Sequence, residues 1–357
     1  MVEVAANVCG IHAQVMKAAE LSLGIRVAGV TGRDVQAALW ERRALAKTYG
    51  LRGTVHLFAA DDHPLWMAAL QTRLPSDQPR LAKVGLEAGQ REAVVGAIRN
   101  ALDGQRLTLR QLEDAVIEQL GSWAGDKTMP AFAEMWPRWR IALASAAYEG
   151  ALCFGPNVGS AITYVRPDQW LGTWHDLGPR EALREVFRRY LWAYGPATPR
   201  DFAQWFSIPV PLAIETAQDL SDVLEEVDVE GYRCMQLAGE ENRPEGADND
   251  SVRLLPHFDC YMIGCHPRLQ LVPPQWAQRA LVQGGVGPIP LLIVNGVVAG
   301  VWERKKQGKS IDVHVDPFKP LSAGDVELLE AEVRHIGEVL QADASLVIGP
   351  FAVRPHL

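Results

Sequence analysis

The chain has 357 residues, with 35 Lys+Arg against 43 Asp+Glu, so its formal net charge is −8. Hydrophobic residues make up 48% and charged residues 22%, which excludes disorder as the main state and excludes a protein that coats nucleic acid through overall basicity. The acidic residues concentrate at 222–230 and 240–250, and the basic ones at 33–47, 138–140, 184–189 and 304–309. A nucleic-acid role therefore needs a local basic channel on an acidic body.

No apolar run approaches the roughly 20 residues needed to span a bilayer, and no secretory leader is visible at the N-terminus. The five cysteines, Cys9, Cys153, Cys234, Cys260 and Cys265, are odd in number and widely spread. The expectation is a reduced, cytoplasmic, monomeric protein. His257, Cys260, Cys265 and His266 are all types that bind zinc, but the close C-x2-C or H-x3-5-H spacing is missing, and residues 258–263 read as a buried strand. No metal is expected.

In chain order, three capping signals recur before amphipathic helices: Thr31–Asp34, Thr108–Gln111 and Thr198–Asp201. In each, Thr can serve as N-cap and the third residue after it can bond back. Pro199 sits at the first helical position, where its missing N–H costs nothing. After Thr31 come a short helix to residue 39, a basic stretch and an extended run over 48–58. After Thr108 come helices to about 120 and over 137–149, then a hairpin of 151–154 with 161–165. After Thr198 come helices to 206 and near 211–220, then strands 223–229 and 232–237. Helix, helix, hairpin is the winged-helix pattern, in which the second helix can enter a major groove and the wing can touch the adjacent backbone.

From about residue 248 the texture changes. Residues 252–255 and 261–264 read as strands. Asn295-Gly296 suits a type I′ turn between strands 291–294 and 297–301. A basic stretch over 302–309, a strand over 311–315 and a helix over 323–341 follow. The fold class is α+β: tandem winged-helix modules around a DNA channel, with a C-terminal β-rich domain. The domains are a first module at 1–100, a second at 101–178, a third at 179–247 and the C-terminal domain at 248–357.

Several segments resemble those of one family. Gly10-Ile11-His12-Ala13-Gln14 is similar to a Gly-Leu-Gln-Ala-Gln segment, and residues 50–57 to an Arg-Gly-Thr-Leu-His-Leu strand. Residues 194–202 resemble a Tyr-Gly-Pro-Ala-Thr helix start, and Leu254-Leu255-Pro256-His257-Phe258-Asp259 a Leu-Leu-Pro-x-Phe-Asp strand. In that order they resemble the winged-helix DNA glycosylase superfamily (AlkZ/YcaQ-like). The resemblance implies tandem winged helices arranged as a C around a basic DNA channel, and no metal or organic cofactor. It implies removal of alkylated purines from double-stranded DNA, extending in some members to bulky adducts and interstrand crosslinks.

The family's catalytic pair is Gln-x-Gln or Gln-x-Asp. Here His12 replaces the first Gln and Gln14 is kept. Residues two apart point the same way only if the segment is extended, and Gly10 permits the bend. An N7- or N3-alkylated purine already carries positive charge and leaves as a neutral base, so no strong general acid is required. Gln14 can accept a hydrogen bond from the attacking water. Neutral His12 can accept one too, and can take the proton. With an ordinary imidazole, activity would fall as pH drops through roughly 6–7. Relatives usually carry a helix-length segment before this motif, whereas His12 stands almost at the start, so either the start is misplaced, the chain is trimmed or the first module lacks a buttress.

Arg52, Thr54 and His56 would share one face of a strand by period two and line the channel floor. Arg138 and Arg140 would reach phosphates from the start of the second module's second helix, while Trp136 and Trp139 pack in the core. Arg304, Lys305, Lys306 and Lys309 form a dense basic run after a hairpin, suited to phosphate contact. The competing reading is a non-catalytic winged-helix DNA-binding or regulatory protein.

Overall fold

The computed structural model describes residues 1–131, 134–172, 177–239, 250–266, 271–281, 287–308 and 310–352. Lys309, most of the acidic run at 240–250 and the expected boundary at 247/248 lie outside the described residues.

The N-terminal part runs α1 (Val2–Asn7), β1 (Ile11–His12), α2 (Met16–Gly24), α3 (Gly32–Trp40), β2 (Leu45–Tyr49) and β3 (Val55–Ala59). The strands form an antiparallel sheet in the order β1-β3-β2. The extended run expected over 48–58 is instead a hairpin. A 3-10 turn, Leu51–Gly53, reverses the chain, with Arg52 at φ 58° and Gly53 at φ 74°. The missing buttress is also corrected: α1 precedes the motif with Ala5 wholly buried.

Three helices follow: α4 (His63–Gln71), α5 (Leu74–Lys83) and α6 (Ala88–Ala101). Then come β4 (Leu107–Thr108), α7 (Leu109–Leu120) and a hairpin of β5 (Lys127–Ala131) with β6 (Glu134–Pro137). A 3-10 stretch, Arg138–Ala142, leads into α8 (Leu143–Tyr148). The expected second hairpin is β7 (Cys153–Val158) with β8 (Ala161–Val165), and β4 joins it in the order β4-β8-β7. Next are α9 (Pro167–Trp170) and α10 (Pro179–Tyr194), then α11 (Pro199–Phe206), α12 (Val210–Gln218) and the hairpin β9 (Leu224–Val229) with β10 (Tyr232–Leu237).

The three capping signals form. At α7 the Thr108 hydroxyl accepts from the Gln111 N–H at 3.3 Å, and Gln111 Oε1 accepts from the Thr108 N–H at 2.9 Å. At α11 the same exchange joins Thr198 and Asp201 at 3.2 and 2.8 Å. At α3 the Asp34 carboxylate accepts both the N–H and the hydroxyl of Thr31, at 2.9 and 2.6 Å. Each such cap satisfies N–H groups that the first helical turn leaves without intrahelical partners.

One hydrophobic core runs through all of this, centred on Trp66, Trp139, Tyr190, Phe202 and Trp205, each at most 2% exposed. The arginines on α10 are matched with acids at the surface. Arg184 pairs with Asp219 at 3.3 Å, Arg188 with Glu185 at 3.0 Å and Arg189 with Asp62 at 2.8 Å, while Arg180 pairs with Glu215.

The C-terminal part is a curled five-stranded sheet: β11 (Val252–Leu255), β12 (Leu291–Val294), β13 (Val297–Gln307), β14 (Ser310–Pro317) and β15 (Asp343–Ile348), hydrogen-bonded in that order. All neighbours are antiparallel except β14 and β15. Helix α14 (Ala323–Leu340) covers one face, burying Leu329, Val333 and Ile336 against Leu254, Val313 and Val315. The expected strand over 261–264 is a helix, α13 (Cys260–Gly264). Asp259 caps it by accepting from the Tyr261 N–H at 3.0 Å, and the chain enters through Phe258 at φ 57°. The basic stretch after the Asn295-Gly296 turn is not a loop but the second half of β13.

Candidate active site

The His12 motif is extended, as joint use of positions 12 and 14 requires. Gly10 has φ +92°, and a Cβ there would meet the Phe58 ring at 2.4 Å, so only glycine fits the bend beneath the sheet. Beyond it, β1 pairs with β3, with Ile11 opposite Leu57 and His12 opposite His56. The pairing continues as the Ala13 N–H donates to the Val55 carbonyl at 2.7 Å. Gln14 then leaves the strand exposed, its Oε1 accepting the Val55 N–H at 3.3 Å. Both motif residues are thus anchored on adjacent positions of β3. The second lone pair of the Gln14 carbonyl remains for another donor.

His12 is enclosed, with 7% exposure. Its ring stacks on Phe258, with centroids 4.7 Å apart and planes 27° apart, and meets the edge of His56 at 5.2 Å. Nδ1 is buried and has no hydrogen-bond partner among the described residues. His12 borders a small cavity of about 10 Å³ lined also by Cys9, His56, Tyr194, Trp205 and Cys260, a volume on the order of one water molecule. Burial, helped by the nearby Arg52 cation, lowers the His12 pKa to about 4. His12 is therefore neutral throughout the physiological range. As a base it matches a carboxylate in strength, since a free Asp titrates near 3.9. The activity window expected at pH 6–7 moves down accordingly.

The shared strand face expected for Arg52, Thr54 and His56 does not form, because Arg52 lies in the 3-10 turn and Thr54 just before β3. The Thr54 hydroxyl donates to the Leu51 carbonyl at 2.9 Å and so locks the turn. His56 is 2% exposed, too buried in this conformation for phosphate contact. Its Nδ1 lies 3.1 Å from the Thr54 carbonyl, so the proton sits on Nδ1. Burial lowers its pKa well below the ordinary value. Arg52 is nonetheless near both imidazoles, as its effect on each shows.

The segment after β11 completes the site from the other side. The Asp259 carboxylate, 1% exposed, accepts from both terminal nitrogens of Arg26 at 2.7 and 2.9 Å and from the Ser22 hydroxyl at 2.7 Å. Ser22 lies on α2 and Arg26 just beyond it, so this network ties the helix following the motif to the loop that carries Phe258. The motif resemblance at 254–259 marked this segment, but nothing in it alone indicated contact with His12.

Two clefts open on the segment that follows the motif, neither of them lined by His12 or Gln14. One, of about 280 Å³, is lined by Val15, Lys17, Leu21, His257, Trp302 and Arg304. The other, of about 840 Å³, is lined by Lys17, Glu20, Arg33, Gln36, Trp40, Arg304 and Lys306 among others. Lys17 and Arg304 border both. Arg304 and Lys306 come together here because residues two apart on β13 face one side, whereas Lys305 points away and pairs with Glu303 at 2.8 Å. Glu20, 3% exposed, accepts from Lys17 and from Gln36, both at 2.7 Å.

Arg138 and Arg140 stay apart from this cluster, on the 3-10 stretch before α8. Arg138 pairs with Asp126 at 3.4 Å, and the Arg140 guanidinium lies 4.1 Å from the Trp136 ring. Trp139 is wholly buried, as expected for a core residue. Among the described residues, no three His, Cys, Asp or Glu side chains gather as a metal site. His257 Nδ1 bonds the Pro288 carbonyl at 2.9 Å, and burial pushes the Cys260 thiol up to about 12.

With this geometry in hand, the chain belongs to the AlkZ-like DNA glycosylase family, whose sequence profile matches residues 5–339. It is similar to an interstrand DNA cross-link repair glycosylase of Streptomyces sahachiroi, 30% identical over 344 residues that cover 94% of this chain and 89% of that protein. Among solved structures it is similar to the DNA glycosylase AlkZ of Streptomyces sahachiroi. There the TM-score is 0.85 at 27% identity, over 98% of this chain and 93% of the other. No helix of the described residues is long and apolar enough to cross a membrane.

Proposed function

We propose that this chain is a monofunctional DNA glycosylase that removes N7- or N3-alkylated purines, including bulky and crosslinked ones, by water attack at C1′. The observation that carries the reading is the pairing of a buried, neutral His12 with an exposed Gln14 on one edge of β3. The relative's activity on crosslinks supports the substrate class.

In this mechanism the damaged base departs first in the sense that matters energetically. The adduct's positive charge is lost as the glycosidic bond breaks, and charge develops on the sugar. Gln14 accepts one hydrogen bond from the attacking water through its free carbonyl lone pair. His12 accepts the other as a neutral imidazole. With a pKa of about 4, its ring holds a proton only fleetingly, so its main effect is to orient the oxygen. A ring that stays uncharged also avoids placing a cation beside the developing oxocarbenium ion.

The three helix–hairpin units, at 1–100, 101–178 and 179–247, are read as winged-helix modules, with 248–357 as the C-terminal domain. They would surround a channel for duplex DNA. Lys17, Arg33, Arg304 and Lys306 are cations that line the two clefts. We assign phosphate contact to them first, and to Arg52, Arg138 and Arg140 second. Duplexes carrying N7-methylguanine and larger N7 adducts test the reading by release of free base. A protein that binds such DNA and releases no base at any pH is a regulator or an inert scaffold.

A further inference from the structure

We infer that Phe258 is a positioning residue for His12: the C-terminal part delivers its ring as a wall that holds the imidazole in one orientation. The inference rests on the catalytic assignment above and goes beyond it, because it makes the active site a composite of two parts of the chain that the motif alone does not join.

Three independent features support it. The first is the stack itself, at 4.7 Å and 27°. Offset stacking of this kind fixes a plane as well as a distance. The second is the backbone. Phe258 has φ 57°, a left-handed conformation that side chains with a Cβ adopt at a cost and that concentrates where the surroundings enforce it. Its N–H donates to the Gly287 carbonyl at 2.8 Å, and a Cβ on Gly287, itself at φ +117°, would meet the Phe258 ring at 2.5 Å. The chain thus accepts one unfavourable backbone position at Phe258, and keeps a glycine at 287 where any side chain would clash, to place this ring. The third is the anchor. Asp259, the next residue, is bound by Arg26 and Ser22, so the ring's position is referred to the helix that directly follows the motif.

The other groups around His12 do not fix its plane. From β3, His56 meets it edge-on. From the 3-10 turn, Arg52 contributes charge. Cys9, Tyr194 on α10 and Cys260 on α13 border the same cavity as His12, and burial raises the pKa of each, so they remain neutral. Tyr194 already donates its hydroxyl proton to the Val8 carbonyl at 2.6 Å.

The test compares Phe258→Leu, which keeps apolar bulk and loses the plane, with Phe258→Tyr, which keeps the plane. Each is measured two ways: single-turnover base release from N7-methylguanine duplex, and titration of the His12 ring followed by NMR. For Phe258→Leu the expected result is a rate loss on the order of ten- to a hundredfold, with DNA half-saturation unchanged. Its His12 midpoint should stay near 4, because leucine keeps the ring enclosed, so that the rate loss is traced to the lost plane. Phe258→Tyr should match the wild type in both. Should the leucine variant not fold, Phe258→Met carries the same two readouts.

A wild-type rate in the leucine variant would overturn the inference, as would a rate loss accompanied by a rise of the His12 midpoint, which would trace the loss to enclosure and not to the plane. So would equal losses in leucine and tyrosine variants with the midpoint unmoved, which would mean a merely structural role. Failure of the catalytic assignment is recognised separately: wild-type protein would release no base, or His12→Ala would keep the wild-type rate, while the NMR titration still reports on the enclosure of the ring.

Discussion

Replacing His12 with glutamine removes a titrating ring and keeps a hydrogen-bond acceptor, so it isolates what burial does to this side chain. The folded protein holds His12 neutral down to about pH 4, against 6.5 for a free imidazole. Between those values the unfolded chain takes up a proton that the folded chain refuses. The sign follows from linkage: stability falls as pH drops from 6.5 to 4, and the contribution of His12 is fully lost below 4. At pH 5 the unfolded imidazole is nearly all charged and the folded one mostly neutral, which costs about 2 kcal/mol; at pH 7 the cost is about 0.2 kcal/mol. Urea unfolding of wild type and His12→Gln, followed by circular dichroism at both pH values, measures the difference. Wild type should lose about 2 kcal/mol more than the variant between pH 7 and pH 5. Parallel losses would show that His12 is not enclosed as described, and would remove the basis for treating it as a permanently neutral acceptor.

Other consequences are independent of that experiment. Base release should be flat between pH 6 and 8 and decline only as pH approaches about 4, where His12 becomes protonated; a midpoint near 6.5 in a pH–rate profile would contradict the enclosed ring. Arg26→Ala should destabilise the protein by about 3–5 kcal/mol, because it leaves the Asp259 carboxylate buried without its cation; thermal or urea unfolding checks this, and Arg26→Ala with Asp259→Ala together should cost less than the two losses summed. Arg304→Ala and Lys306→Ala should each weaken DNA binding irrespective of sequence and each reduce the slope of log affinity against log salt by about 1. Lys305→Ala, whose target pairs with Glu303, should change that slope least.

Much of the architecture could be read from local chemistry. Thr-x-x-Asp and Thr-x-x-Gln announce helix starts because the cap bonds span only three residues, and Asn295-Gly296 announces a hairpin because its positive φ values are intrinsic to those residue types. The bend at Gly10 and the extended motif after it were legible for the same reason. Elements set by distant partners were not. Residues 261–264 have strand-like composition, yet Asp259 turns them into a helix through a cap whose carboxylate is held by Arg26, 233 residues away in sequence. Residues 303–306 look like a solvated basic loop, but pairing with β14 makes them a strand and sorts Arg304 and Lys306 to one face and Lys305 to the other. Arg52, Thr54 and His56 alternate as a strand would, but the left-handed turn at Arg52 breaks the period.

The site was legible in part. His12 and Gln14 stood out through motif resemblance, and their extended geometry follows from Gly10. The enclosure of His12 did not stand out, because it depends on Phe258 arriving from 246 positions further along the chain. The basic clusters illustrate the same limit. The run at 184–189 looked like channel lining, yet its arginines are matched with acids: Asp219 at the end of α12, Asp62 just before α4 and Glu185 on α10 itself. The cations that do converge in one cleft, Lys17, Arg33, Arg304 and Lys306, come from three separate stretches of sequence.

The most direct test of the central claim is single-turnover release of free base from a duplex carrying one N7-alkylguanine, with wild type, His12→Ala and Gln14→Ala compared at equal DNA occupancy. Wild type should yield free base and an abasic site, and each variant should lose on the order of a hundredfold or more of the rate with DNA binding retained. Wild-type protein that binds the duplex and leaves the base in place, or variants that release it at the wild-type rate, would contradict it.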